Sequence, residues 1–119
     1  MSVTTGYVNC IWQGDANEMI LRSLALVKLP PQVLNLTGPA VLSIRRLALR
    51  FAELLGQTVQ FCGTEADTAL LSNPARMCAL LGSPPTALEK VMRWTAHWVK
   101  SGGRLMDKPT HFDVRDGRY

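Results

Sequence analysis

The sequence predicts an α/β domain built on a small, mostly parallel sheet of about three strands with four helices. Three observations carry that expectation. Short apolar runs rich in β-branched residues alternate with longer segments of helical periodicity. Glycine or proline punctuates the boundaries between them. The 119 residues, 47% of them hydrophobic, suffice for one core, so residues 1–119 read as a single domain. Strands separated by helices form βα units, and such units place their strands in parallel.

Tyr7 to Trp12 (YVNCIW) reads as the first strand. Asp15 then caps a helix, with Glu18 completing a D-x-x-E capping box. That helix carries Met19, Ile20, Leu21, Leu24, Ala25, Leu26 and Val27. Its polar face is narrow, so it is expected to be covered on more than one side. Pro30-Pro31 stops it. Gln32 to Leu36 reads as the second strand, and Ser43 as the cap of a second helix with Gly56 just past its end. Thr58 to Cys62 alternates as a third strand. Asn73-Pro74 opens a short helix that closes at Gly82. Thr86 and Glu89 form a T-x-x-E capping box for a last helix through Lys100, ended by Gly102-Gly103.

A net charge of +4 raises the question of nucleic acid. Only Arg45, Arg46 and Arg50 cluster, on the outward side of one helix and without interleaved aromatics, so a solvated helix face is the expectation. Charged residues are 18% of the chain, below the usual quarter, and point to some surface being covered. Cys10, Cys62 and Cys78 are odd in number and widely spaced, with no zinc-type pairing. They read as buried free thiols in a reducing, cytoplasmic compartment. Neither a signal peptide nor a run long enough to span a membrane is visible.

The turn at Thr37-Gly38-Pro39, between a strand and a helix, invites comparison with phosphate-binding loops. A dinucleotide fingerprint needs three glycines spaced so that the backbone can approach a pyrophosphate. Here a single glycine is followed by a proline without an N–H, so an ordinary βα turn is expected. His97 sits between Trp94 and Trp98 on one helix, and His111 lies in the polar tail near Asp107, Asp113 and Asp116. No G-x-S-x-G nucleophile elbow and no calcium-loop spacing occurs.

Taken in order, four pieces resemble the C-terminal part of the extended short-chain dehydrogenase/reductases, the NAD-dependent epimerase/dehydratase family. "YVNCIWQGDAN" looks like the family's strand ending in a helix-capping Asp. "QVLNLTGPAVLSIRRLALRFAELLG" looks like its strand, N-x-x-G turn and Ser-headed helix. "LLSNPARMCALLGSPPTALEKVMRWTAHWV" looks like its short helix, proline-containing link and final helix. "KPTHFDVRDGRY" resembles the tail of an oxidoreductase-like subgroup. The resemblance spans essentially the whole chain, and order and spacing carry it more than any single motif.

The resemblance implies a substrate-binding C-terminal domain whose N-terminal Rossmann domain, with its NAD(P) site and Tyr-x-x-x-Lys pair, is absent. Tyr7 is followed four residues later by Ile11, and Tyr119 is the last residue, so neither begins such a pair. No catalytic residue and no bound cofactor are therefore expected in this chain. NAD or NADP is implied for the complete enzyme only. Partners implied are a Rossmann domain or further copies of the chain, together with a small-molecule substrate, and neither nucleic acid nor membrane.

Trp12 and Gln13, at the C-terminal edge of the first strand, are the expected walls of a substrate cleft. Asn9 and His111 are further substrate-binding candidates. Val8 and Asn9 stand where nucleotide-sugar enzymes of the family place an arginine, which leaves a smaller or uncharged carbonyl or alcohol as the expected substrate. The alternative is a stand-alone interaction or self-association module that uses its apolar first helix.

Overall fold

The computed structural model describes residues 1–106. Four helices lie among them where the periodicity places them: α1 (Gln13–Ser23), α2 (Ile44–Leu55), α3 (Ala75–Leu81) and α4 (Leu88–Lys100). A 3₁₀ turn at Leu24–Leu26 extends α1 toward the Pro30-Pro31 stop. The helices associate in two pairs, α2 with α4 and α1 with α3.

The sheet departs from expectation. In place of a mostly parallel sheet of about three strands, the described residues hold two two-residue strands, β1 (Tyr7–Val8) and β2 (Leu42–Ser43), paired antiparallel with Tyr7 opposite Ser43 and Val8 opposite Leu42. Local contacts explain why each longer strand fails to form. The first stops after Val8 because the Asn9 side chain turns to the Ser72 backbone, donating to its carbonyl at 2.6 Å and accepting from its N–H at 3.3 Å. Thr58–Cys62 does not join the sheet; among the described residues it makes one isolated parallel bridge, Ser2 to Cys62, flanked by hydrogen bonds to Met1 and Val3. Gln32–Leu36 is non-helical and takes no main-chain partner among the described residues. Strand propensity is realised only where a neighbouring strand exists.

Caps decide the helix ends on the α2 side. The Ser43 hydroxyl accepts from the Arg46 N–H at 3.3 Å, and Gly56 follows the last turn with φ 68°, a conformation glycine adopts without strain. Asn73 performs the same service for α3 by accepting from the Ala75 N–H at 3.0 Å. The two expected capping boxes do not form. Asp15 lies inside α1 and Thr86 lies before α4, and instead of capping their own helices they bind each other. Sequence spacing shows a local partner for a capping residue but not a competing partner 71 positions away.

The core is small. Met19, Met77 and Leu81 form a cluster between α1 and α3, supported by Ile11, Leu26 and Leu36. Ile44 and Ala48 of α2 and Met92 and Ala96 of α4 are buried on the other side. The radius of gyration is 16.4 Å, against about 13 Å for a compact domain of this length. The looseness falls on α1 and the segment after it, where Leu24 (67% exposed), Val27 (78%) and Leu29 (93%) face outward. The cover expected over the first helix is thus not supplied by the described residues.

Candidate functional site

The turn at Gly38 is built for packing. A side-chain carbon added at Gly38 would lie 2.1 Å from the Cys10 carbonyl oxygen, so glycine is required because two backbones cross there. Beside this crossing lies a cavity of about 110 Å³ lined by Cys10, Trp12, Pro39, Leu42, Thr86 and Val91, among others. Cys10 is exposed at the residue level, yet its thiol is partly shielded, and burial pushes its pKa above the ordinary value. Such a thiol stays protonated at neutral pH and is a poor nucleophile. The expectation of buried thiols does not hold: Cys10 and Cys62 are exposed and Cys78 is half-buried.

Trp12 is the largest side chain at this cavity. It is the residue before α1, its indole folds back over Gly14, where any added carbon would sit 2.3 Å from the ring, and it is 40% exposed. Trp94 on α4 holds its other side, with ring centroids 5.1 Å apart and planes tilted by 52°. Lys90, one turn earlier on α4, places its ammonium 4.9 Å from the Trp94 ring. The result is a half-exposed aromatic surface anchored by two helices.

Asp15 fixes the relative position of those helices. Only 3% exposed, its carboxylate accepts from the Thr86 hydroxyl at 2.8 Å and from the Thr86 N–H at 3.0 Å. Burying a carboxylate is costly unless donors satisfy both oxygens, and here each oxygen has one. This joint ties the start of α1 to the entry of α4 and so sets the Trp12–Trp94 contact.

Of the four residues singled out by sequence, Trp12 lines the cavity, while Gln13, the next residue and the first of α1, is exposed and outside its lining. Asn9 is engaged in the clamp to Ser72, a structural use of its amide. His111 lies outside the described residues. Sequence reasoning missed Trp94 and Lys90. Their signal is the i, i+4 spacing, which puts them on one helix face but does not say that Trp12 meets that face.

A second, larger cavity of about 340 Å³ lies between α1, α3 and residues 31–36. Its floor is apolar (Met19, Leu26, Leu36, Met77, Leu81) and Lys28 and Gln32 stand at its rim. Gln32 accepts there from Arg76 at 2.6 Å. Among the described residues no three His, Cys, Asp or Glu side chains converge as a metal site, and no helix is long and apolar enough to cross a membrane.

No family model, no curated protein and no solved structure matches this chain.

Proposed function

We propose that this chain is the substrate-side part of an NAD(P)-dependent oxidoreductase of the epimerase/dehydratase type, holding a small uncharged carbonyl or alcohol compound and supplying no chemistry itself. The observation that carries the reading is Trp12: a half-exposed indole, locked by Trp94 and Gly14, at the mouth of an apolar cavity. A fixed aromatic wall suits the apolar face of a small substrate, and Gln13, the next residue in sequence, would offer a donor and an acceptor to the substrate's solvent-facing hydroxyl or carbonyl. Hydride transfer then belongs to a cofactor-binding half that pairs with this one.

The coding sequence around this chain tests the proposal first. A G-x-x-G-x-x-G strand–helix unit and a Tyr-x-x-x-Lys pair in the same reading frame are expected, and a message that encodes neither overturns the reading. In the joined protein, Trp12→Ala raises KM with little change in kcat, a loss on the order of 1–3 kcal/mol in kcat/KM. Trp98→Ala is the control. Its indole lies over Gly103 and donates to the Arg104 carbonyl at 3.2 Å, so it lowers the melting temperature and leaves KM alone. The isolated chain binds neither NADH nor NADPH, and saturable micromolar binding by calorimetry counts against the assignment.

The second reading, a stand-alone interaction module, is favoured by the uncovered apolar side of α1 and the turn after it, where Ile20, Leu21 and Leu24 are each more than half exposed.

A further inference from the structure

The larger cavity, of about 340 Å³, has a lining that sorts by chemistry. It arises where the chain doubles back. The 3₁₀ turn at Leu24–Leu26 carries α1 onward, Pro30-Pro31 ends that run, and residues 32–36 come back to border the same space. Met19, Leu26, Leu36, Met77 and Leu81 form the floor. The two methionines among them are unbranched and polarizable, so they can fit their side chains to a guest.

The polar side chains of the lining are either engaged or left as donors. The Ser23 hydroxyl donates to the Ile20 carbonyl at 2.7 Å. The Gln32 side-chain oxygen accepts from Arg76 at 2.6 Å, which leaves the Gln32 amide nitrogen free to donate. Lys28 can only donate. Neither Lys28 nor Arg76 has an ion-pair partner among the described residues, and no Asp or Glu side chain lines the space. An apolar floor under a mouth of donors, with two cations at or beside it, is complementary to an anionic acceptor carried on hydrocarbon.

We propose that this cavity binds a medium-chain carboxylate, with its hydrocarbon against the methionines and its head at Lys28 and the Gln32 amide. The volume falls at the small end of the roughly 300–1,000 Å³ typical of ligand pockets, which suits one unbranched chain rather than a two-chain lipid. Burial of the hydrocarbon supplies the affinity, and charge-assisted hydrogen bonds at the mouth select the anion. The site shares no lining residue with the Trp12 cavity, and the proposal does not rest on the oxidoreductase reading.

Decanoate below its micelle concentration, titrated into the complete 119-residue chain, tests it with every residue able to reach the cavity present. The chain has five methionines, and ¹³C labelling of their methyl groups lets NMR report from separate places. The Met19 and Met77 signals are expected to move together and to saturate, while Met92, buried between α2 and α4, stays still. Decanoate should bind about tenfold tighter than decylammonium, which has an equal chain and the opposite charge. Lys28→Glu, at an exposed position, should weaken decanoate about tenfold and turn the preference toward decylammonium. No saturable shift at Met19 and Met77 overturns the proposal. So does movement of all five methionines at once, which reports surfactant coating or unfolding. Equal affinity for the two head groups, or a Lys28→Glu variant that binds decanoate unchanged, overturns it as well. Should that variant fail to fold, the two head groups compared on the unaltered chain decide alone.

Discussion

The α2/α4 pair and the α1/α3 pair differ in pattern and end in different states: α2 and α4 set a charged outer face against an apolar one, whereas the polar face of α1 is narrow. On the α2 side the polar groups are matched. Ser43 caps the helix, Arg50 pairs with Glu53 at 2.8 Å and with Glu89 across the interface, and Arg93 joins Glu89 at 2.9 Å. On the α1 side neither α1 nor the 3₁₀ turn after it carries a side-chain cap, the core is three residues with a cavity beside it, and apolar side chains of α1 and the segment after it point outward. The first pair is finished within the chain. The second leaves more apolar surface uncovered among the described residues, with Leu21 and Leu24 67% exposed, and its one ion pair, Glu18 with Arg22, lies within a single helix.

Truncating the α1/α3 core tests the comparison most severely. Met77 is 1% exposed and touches Met19 and Leu81, so Met77→Ala removes most of what binds α3. A loss of about 3 kcal/mol is expected in denaturant unfolding, within the range for large-to-alanine changes. A loss under about 1 kcal/mol would mean that the adjacent open cavity lets the site collapse and that this cluster is no core.

The crossing at Gly38 comes next. Gly38→Ala drives a methyl into the Cys10 carbonyl and is expected to cost about 2 kcal/mol or more, since backbone must move. Gly56→Ala meets open space and suffers only the left-handed conformation, about 1 kcal/mol. Equal melting shifts for the two would deny that the backbones touch at residue 38.

These two glycines show how far the sequence could be read. Gly56 was legible, because a helix stop after an amphipathic stretch is a local event, and the same holds for Ser43 and for the four helices. Gly38 was legible only as a turn. Its true constraint is the Cys10 carbonyl, which no local pattern reports. Asp15 and Thr86 misled for the same reason: each has a valid local role, and a distant partner outcompeted it. The parallel sheet failed because pairing is a property of two segments, whereas periodicity describes one. Of the candidate site, Trp12 could be named from its place at a strand end, but Trp94, which fixes its orientation, could not.

The Asp15–Thr86 joint couples the two regions and carries a moderate effect. Asp15→Ala leaves the Thr86 hydroxyl and N–H without their acceptor, expected to cost roughly 2 kcal/mol. Asp15→Asn keeps one acceptor and should lose less. Either change should also alter Trp12 fluorescence, because the joint sets the contact with Trp94. A stability loss with unchanged fluorescence would separate the joint from the aromatic surface.

The smallest expected effect lies in the exposed ion cluster, and its pH dependence is its signature. The Arg50 guanidinium, hydrogen-bonded to Glu89 and helped by Arg93, holds the Glu89 carboxyl down to about 2 from an ordinary value of 4.5. Glu89 in turn raises the Arg50 pKa further above its usual range, so Arg50 stays charged throughout. The folded protein binds the Glu89 proton less readily than the unfolded chain does. Stability from this group is therefore complete above about pH 4.5 and is lost as pH falls from there through about 2. Glu89 also sits in the first turn of α4, where a negative charge favours the helix dipole, and that contribution disappears over the same interval. Glu89→Gln should lower stability slightly at neutral pH and flatten the unfolding curve between pH 4.5 and 2. Because the cluster is open to solvent, the difference between the two proteins should shrink in high salt. Parallel acid titrations by circular dichroism at low and high ionic strength measure this. If the two proteins lose stability identically with falling pH, the α2/α4 pair is held by Ile44, Ala48, Met92 and Ala96 alone, and its ion cluster is ornament on a packed interface.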